Sequence, residues 1–342
     1  MPDKKNEIVR PDLRQLFDQA DAFYEKKPWT IIDNDRDLYA VVDPRTGETS
    51  YCCVVGQNHE MTGLFAYPGQ RGYRSYLKIQ NSTIPPELDP DLAFEQLCLV
   101  AEFTSRDHLD AKDKRMIKDA GRKYSGEAFP RFVRFEPGFY PDRPSIEETA
   151  TIKDCMEVGI LVAQGVEGDS GFLRHPDRVR TWRRSSNGDW TDSWEPYPSM
   201  EETNAPAEAD PAPAQAIKNQ KLSRHGEWDA GTIFFPGTLK SEDGRRFFPR
   251  LCVIADRESG RILTQKLIDN SEDGHLALLG LFLGVIESSR VIPRKLYLRD
   301  AATVKFFRPV TASLEVPAVE TPLLQSIMEF REGLESTFSG PG

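Results

Sequence analysis

The sequence lacks any long apolar run, and this absence sets the first limit on the class of protein. None of the 342 residues lies in an uninterrupted apolar stretch close to the roughly 20 residues that a membrane-spanning helix needs. The first residues, Met1 to Glu7, are polar and of mixed charge, and no apolar segment typical of a signal peptide follows them. We therefore expect a soluble, cytoplasmic protein that does not associate with a membrane.

Cysteine and histidine are scarce, with five residues of each. The cysteines form no Cys-x-x-Cys pair and stand in apolar surroundings, which favours buried, reduced thiols over disulfides or a zinc site. Cys52 and Cys53 are adjacent in a β-prone run, so their side chains should point to opposite faces of a strand. The histidines have no spacing typical of a metal site. The sequence therefore predicts neither a bound metal nor a cofactor.

An excess of positive charge is missing as well. The formal net charge is −10, which disfavours a protein that grips the phosphate backbone of a nucleic acid. Nucleic acid is thus an unexpected partner.

One short pattern is present twice, in Leu38–Gly47 and in Leu251–Gly260. Each copy has apolar residues, an Asp (Asp43 or Asp256), two variable residues, a hydroxyl residue and Gly. Asp caps a tight turn and Gly accepts the left-handed backbone conformation, so the pattern predicts a β-hairpin with the β-prone run that follows. The alternative is that each Asp ends a central strand as a metal-binding carboxylate. We favour the turn.

The two hairpins predict an α/β (α+β) protein of two domains, each a mixed sheet opened by a hairpin and covered by helices. Residues 199–216 are rich in Glu, Pro and Ala and have little to bury, which is typical of a disordered linker. The predicted domains are therefore residues 1–198 and 217–342.

A further hairpin is predicted around Asn187-Gly188, the strongest short turn signal in the chain. Period-two alternation places Trp190 and Trp194 on one face of its second strand. These indoles either cover the core of the first domain, which we favour, or form an exposed binding patch.

In the second domain, Asp256 and Asp300 each end a predicted strand. If those strands are parallel neighbours, both carboxylates emerge at one edge of the sheet, where they would hold two Mg²⁺ ions for phosphoryl chemistry. Glu329 and Glu332 on the last helix are candidates for a third acid.

This order resembles the ribonuclease-H-like fold of integrases and transposases, in which a strand Asp opens the domain and a second Asp ends the strand after the first helix. The sequence departs from that pattern, because no third strand is evident between Ile268 and Gly274 and no Gly-containing turn follows Asp300. The resemblance implies either a metal-dependent nuclease or transferase, or an inactive relative of the fold.

The stretch from Leu38 to Leu77, together with Phe248 to Asp300 and the closing helix, also resembles a bacterial family of two-domain proteins classed as domains of unknown function. This resemblance implies an architecture and no catalytic residues. We therefore expect a non-catalytic binding or interaction protein, with a protein or small ligand in a cleft between the domains. The alternative is the metal-dependent enzyme that uses Asp256 and Asp300.

Overall fold

The structure, a computed structural model, describes residues 10–33, 36–57, 61–82, 84–85, 89, 91–199 and 208–338. The helices are, in chain order, α1 (Pro11–Lys26), α2 (Gly69–Gln80), α3 (Asp91–Phe94), α4 (Ala111–Asp119), α5 (Ile146–Gly168), α6 (Ala212–Lys218), α7 (Gly274–Ser289), α8 (Ala301–Ser313) and α9 (Gln325–Phe338). The strands are β1 (Tyr39–Val42), β2 (Thr49–Val55), β3 (Thr62–Pro68), β4 (Cys98–Thr104), β5 (Phe129–Phe135), β6 (Arg178–Arg184), β7 (Trp190–Pro196), β8 (Ser223–Arg224), β9 (Glu227–Phe234), β10 (Leu239–Lys240), β11 (Arg246–Phe247), β12 (Arg250–Asp256), β13 (Ile262–Ile268), β14 (Val291–Ile292), β15 (Lys295–Leu298) and β16 (Ala318–Glu320).

The chain divides into two compact units, and the division is not a single cut. The first unit takes its residues from 1–82, 95–137 and 141–200, and the second from 83–94, 138–140 and 201–342. Two short stretches from the N-terminal part of the sequence therefore belong to the second unit. Residues 83–94 and 138–140 are part of the second unit because they contact residues that lie far away in the sequence.

The predicted linker is partly helical. Residues 200–207 lie outside the described residues, but Ala212–Lys218 form α6. Ala214 and Ile217 are buried in the core of the second unit. The linker prediction is wrong for these last residues, because Ala favours helix and is small enough to pack closely.

The first unit is built on a seven-stranded sheet in the order β5-β4-β3-β2-β1-β6-β7. Neighbouring strands are antiparallel except β1 and β6, which are parallel. Side chains alternate between the faces: Cys52 and Val54 pack on the side of α1 and α5, whereas Tyr51 and Cys53 pack on the side of α2. The prediction that Cys52 and Cys53 point to opposite faces is confirmed.

Both predicted Asp-Gly hairpins are confirmed. β1 pairs with β2, and β12 pairs with β13, in antiparallel register. The amide of Gly47 donates to the carbonyl of Asp43 at 2.8 Å, and Gly260 donates to Asp256 at 2.9 Å. Both glycines have φ near +70°, at 76° and 68°, where a side chain would be strained.

The hairpin around Asn187-Gly188 is also formed, by β6 and β7. Gly69 to Gly72 form the first turn of α2. In the described ranges, no helix combines the length and apolar character that crossing a bilayer requires.

The second unit contains a five-stranded sheet in the order β13-β12-β9-β15-β16. β12 is antiparallel to both of its neighbours, β13 and β9, whereas β15 is parallel to β9 and β16 is parallel to β15. Along β12, Cys252 and Ile254 face the core of α7 and α8, and Leu251 and Val253 face α9.

The predicted hairpin is therefore not the opening element of this sheet. β9 precedes it and pairs with β12, so the hairpin supplies the second and third strands. β9 is buried on both faces along most of its length, so its sequence lacks the alternation of apolar and polar residues that is typical of a half-exposed strand.

Candidate functional site

Asp256 and Asp300 lie at opposite ends of the strands: Asp256 is near the start of β9 and Asp300 is towards its end. β12 is antiparallel to β9, and Asp256 stands opposite Trp228 near the start of β9. β15 is parallel to β9, so Asp300, two residues after Leu298, lies beyond the level of Ala230. Four residues at about 3.3 Å and two strand spacings at about 4.8 Å place the two Cα atoms roughly 16 Å apart. Ions of a two-metal site are about 4 Å apart. The condition for a shared site, that the two strands are parallel neighbours, is not met, because β9 lies between β12 and β15.

Each of these carboxylates serves the backbone near it. Asp300 is the N-cap of α8 and accepts hydrogen bonds from the amide and hydroxyl of Thr303, at 2.7 and 2.9 Å. Asp256 accepts from the amide and hydroxyl of Ser259, at 2.9 and 2.6 Å. Both arrangements are standard uses of Asp at a helix start and at a turn.

Asp229, on the true first strand, is a carboxylate that the sequence analysis missed. It is fully buried and accepts hydrogen bonds from Nη1 of Arg257 at 2.7 Å and from the amide of Ser326 at 3.3 Å. The Arg257 guanidinium also stacks on Tyr297, 3.9 Å from the ring centre. A buried carboxylate needs such a partner. The signal in the sequence was an acid at the start of the long apolar run of β9.

Glu329 and Glu332 lie on α9, as predicted. Glu329 accepts a hydrogen bond from Gln325 at 3.1 Å, and Glu332 lines a cleft described below. Within the part of the chain that the structure describes, no group of three or more His, Cys, Asp or Glu side chains is arranged to hold a metal ion.

The cleft, which we call the α9 cleft, lies in the second unit between the end of β9 and α9. Its apolar wall is formed by Ile233, Leu324, Ile327 and Met328. Its charged side is formed by Asp89, Asp91, Arg299, Arg331, Glu332 and Glu335. The open volume is about 60 Å³.

Asp91 is the centre of the charged side, and it is 2% exposed. Its carboxylate accepts hydrogen bonds from the guanidinium groups of Arg331 and Arg299, the latter at 3.1 Å, and from the amide of Phe234 at 3.2 Å. Asp89 binds the same Arg299. Burial raises the pKa of Asp91, although both guanidinium groups act in the opposite direction.

Trp190 and Trp194, for which the sequence left both a core-covering and a binding role open, have different surroundings. Trp190 is half-buried, packs against the main core of the first unit, and has the guanidinium of Arg184 4.4 Å from its ring. Trp194, also half-buried, lies 5.1 Å from the ring of His175. The structure thus places Trp190 over the core and Trp194 beside a second open site.

This second site, which we call the His175 depression, lies in the first unit and has a volume of about 470 Å³. It is lined by Arg36, Leu173, Arg174, His175, Pro176 and Tyr197. The Tyr197 ring stacks on Tyr73 at 5.7 Å with an interplanar angle of 14°. Its aromatic wall is therefore held in place by the tyrosine cluster of the core.

The cationic side chains of the depression are exposed and weakly paired. Nε of Arg36 is 3.8 Å from Asp33, and Nε of Arg174 is 3.6 Å from Asp37. The side chains of Arg36 and Arg174 are 72% and 51% exposed. Among the described residues, neither makes a side-chain hydrogen bond. Exposed pairs at such distances contribute at most about 1 kcal/mol, so their N–H donors remain available.

Two family models match the chain. Residues 14–184 match the model described as domain of unknown function (DUF7309), and residues 214–335 match that described as domain of unknown function (DUF6930). Among curated proteins, none matches. The first match covers half of the 342 residues and the strands β1 to β6. The chain therefore belongs to the DUF7309 family, and its second unit carries the region that matches DUF6930.

Proposed function

We propose that this protein is a non-catalytic binding protein that takes a small anionic ligand in the His175 depression. The observation that carries the proposal is that two exposed guanidinium groups, those of Arg36 and Arg174, line one open volume of about 470 Å³. Ligand sites typically have volumes of about 300–1,000 Å³. The depression therefore has the size of a ligand site and the charge to hold an anion.

The chemistry of the rim favours a carboxylate or a phosphate. Arg36 and Arg174 present planar forks of N–H donors, which match the oxygen atoms of either group. Asp37 is 3% exposed, and in the described part of the chain its Oδ1 has no hydrogen-bond donor. It therefore attracts Arg174 electrostatically while leaving the guanidinium donors of that residue to a ligand.

The side walls favour a ligand that also carries a flat ring. Tyr197 and His175 both line the depression, and Trp194 extends the aromatic surface beside His175. Aromatic side chains stack on planar ligand groups, and such pairs contribute about 0.5–1.5 kcal/mol beyond area burial. A ring-bearing anion should therefore bind more tightly than inorganic phosphate.

The second unit supports the non-catalytic part of the proposal. Three antiparallel strands precede α7 and two parallel strands follow, so β9 supplies the strand that the ribonuclease-H-like resemblance lacked. The acid on that first strand is Asp229, which is paired with Arg257. We infer a relative of that fold in which the acids have structural roles, and no Mg²⁺ site is part of the proposal.

The proposed location is the cytoplasm. All five cysteines are buried free thiols, as is usual for proteins of a reducing compartment. The net charge of −10 favours a small ligand over a nucleic acid as the partner.

Titration of the full chain with inorganic phosphate and with AMP at low salt tests the proposal, by calorimetry and by tryptophan fluorescence. We expect saturable binding of AMP, weakened at least tenfold by Arg36→Gln and by Arg174→Gln, because each change removes one anion-binding fork. A tenfold loss corresponds to about 1.4 kcal/mol.

Arg183→Gln is the matched control, because Arg183 is also an exposed guanidinium of the first unit but is held by Glu195 at 2.9 Å. Its AMP affinity should equal that of the wild type. Absence of saturable binding by either anion, or equal affinity in all three variants, would refute the site.

A further inference from the structure

The α9 cleft is filled by a segment that is distant in sequence from its walls. Asp91 is 240 residues from its partner Arg331 and 208 from Arg299. The segment that carries it, which includes α3, belongs to the second unit although the flanking strands β3 and β4 belong to the first. It enters the cleft as a short peptide would.

The segment leaves little room for another ligand. The remaining volume is about 60 Å³, which is room for only a few water molecules, since about 10–15 Å³ of such volume holds one. Ligand pockets are several times larger. What the cleft recognises is therefore the segment itself.

Recognition of the segment is both ionic and directional. Arg299 binds the carboxylates of Asp89 and Asp91 with different nitrogens of one guanidinium. Arg331 is 7% exposed and binds Asp91 while its Nε donates to Glu335 at 2.7 Å. Guanidinium–carboxylate pairs of this kind fix position as well as charge.

An aromatic anchor follows the two acids. The Phe94 ring lies 4.4 Å from that of Phe248 and 5.4 Å from that of Phe234. Its carbonyl accepts a hydrogen bond from the amide of Gly138 at 2.9 Å. The bound element thus has the form Asp-x-Asp-x-x-Phe.

We propose that the α9 cleft is a receptor for acidic segments of this form, that Asp89–Phe94 is its resident occupant, and that an Asp-x-Asp-x-x-Phe segment of a partner protein exchanges with it. A tethered occupant acts at an effective concentration of the order of millimolar. The cleft therefore admits a partner once the resident segment is released. This site is in the second unit and is independent of the His175 depression.

The test uses the full chain and a fluorescein-labelled peptide of the sequence Asp-Pro-Asp-Leu-Ala-Phe, with binding followed by fluorescence anisotropy at low salt. The double variant Asp89→Asn/Asp91→Asn removes the charges of the resident segment and keeps its shape. We expect it to bind the peptide at least tenfold more tightly than the wild type. Arg299→Gln in the variant background should remove that binding.

Because Asp91→Asn leaves Arg331 without its buried counter-charge, this variant risks unfolding, and circular dichroism must show that it is folded. Phe94→Ala provides a second route, since it frees the segment without creating an unpaired charge. A control peptide with both Asp residues changed to Asn should not bind. Equal binding of the two peptides, or no binding to either folded variant, would overturn the proposal.

Discussion

Replacing Asp43 by Asn measures what the carboxylate of the first hairpin contributes. Asp43 is 6% exposed and accepts hydrogen bonds from Nε and Nη2 of Arg45, at 2.9 and 2.7 Å, and from the hydroxyl of Thr151 at 2.7 Å. Burial disfavours the ionised form, but these donors outweigh burial and lower the pKa of Asp43 to about 2. Asn keeps the shape of the side chain and loses the charge.

The magnitude follows from that pKa. The shift from 3.8 to about 2 corresponds to at most about 2.5 kcal/mol, at 1.36 kcal/mol per pKa unit. Arg45 is 39% exposed, so solvent screening reduces this to about 1–2 kcal/mol at pH 7. A lowered carboxyl pKa stabilises the fold above pH 4, and this stabilisation is lost as the pH falls towards 2. About half of it should remain at pH 3.

Urea unfolding of the Asp43→Asn variant is followed by tryptophan fluorescence, which reads mainly the first unit, and unfolding of the control is followed by far-ultraviolet circular dichroism, which reads both units. Four of the five tryptophans belong to the first unit, namely Trp29, Trp182, Trp190 and Trp194. The matched control is Asp256→Asn, because Asp256 has the same place in the second hairpin and is bound by Ser259 in place of a guanidinium. We expect the control to lower the free energy of unfolding by less than about 1 kcal/mol, typical of a turn or cap hydrogen bond.

Two results would refute this reasoning. The first is a loss for Asp43→Asn no larger than that for Asp256→Asn at pH 7. The second is a loss that stays constant between pH 7 and pH 3, because the lowered pKa would then not be its source.

The remaining predictions concern the backbone, a buried charge and the thiols. Gly260→Ala places a Cβ at φ 68° and should cost about 1 kcal/mol. Gly280→Ala, on α7 with nothing within 4 Å of the new Cβ, should instead stabilise by about 0.5–1 kcal/mol. Urea midpoints followed by far-ultraviolet circular dichroism decide both, and a reversed order would contradict them. Arg331→Leu leaves Asp91 buried without its main partner and should lower the free energy of unfolding by roughly 3 kcal/mol. Calorimetry measures this change, and a decrease of less than about 1 kcal/mol would show that the ion pair contributes little to stability. A thiol reagent should modify the five buried cysteines within minutes only after guanidinium unfolding, because burial excludes the reagent, and rapid reaction of the native chain would disprove their burial.

Local backbone chemistry could be predicted from the sequence. Asp43 and Gly47 form their turn through contacts within five residues, so the same residues specify it wherever the hairpin lies. The capping box of Ser145 and Glu148 at the start of α5 is likewise formed as the spacing indicates. Such features depend on neighbours along the chain, and the sequence contains those neighbours.

The candidate sites required the tertiary structure. Asp256 and Asp300 are separated because β9 lies between their strands, and nothing in either segment encodes that order. The same holds for the α9 cleft, where Asp91 meets Arg331 across 240 residues.

The sequence by itself therefore determined the hairpins, most helices and the two-unit plan, since propensity, turn residues and apolar periodicity act over a few residues. Only the tertiary structure decided the sheet order, the membership of residues 83–94 and 138–140 in the second unit, and the position of each charged group. Those outcomes depend on which apolar faces pack together and which buried charges find a partner, and both are properties of the whole folded chain.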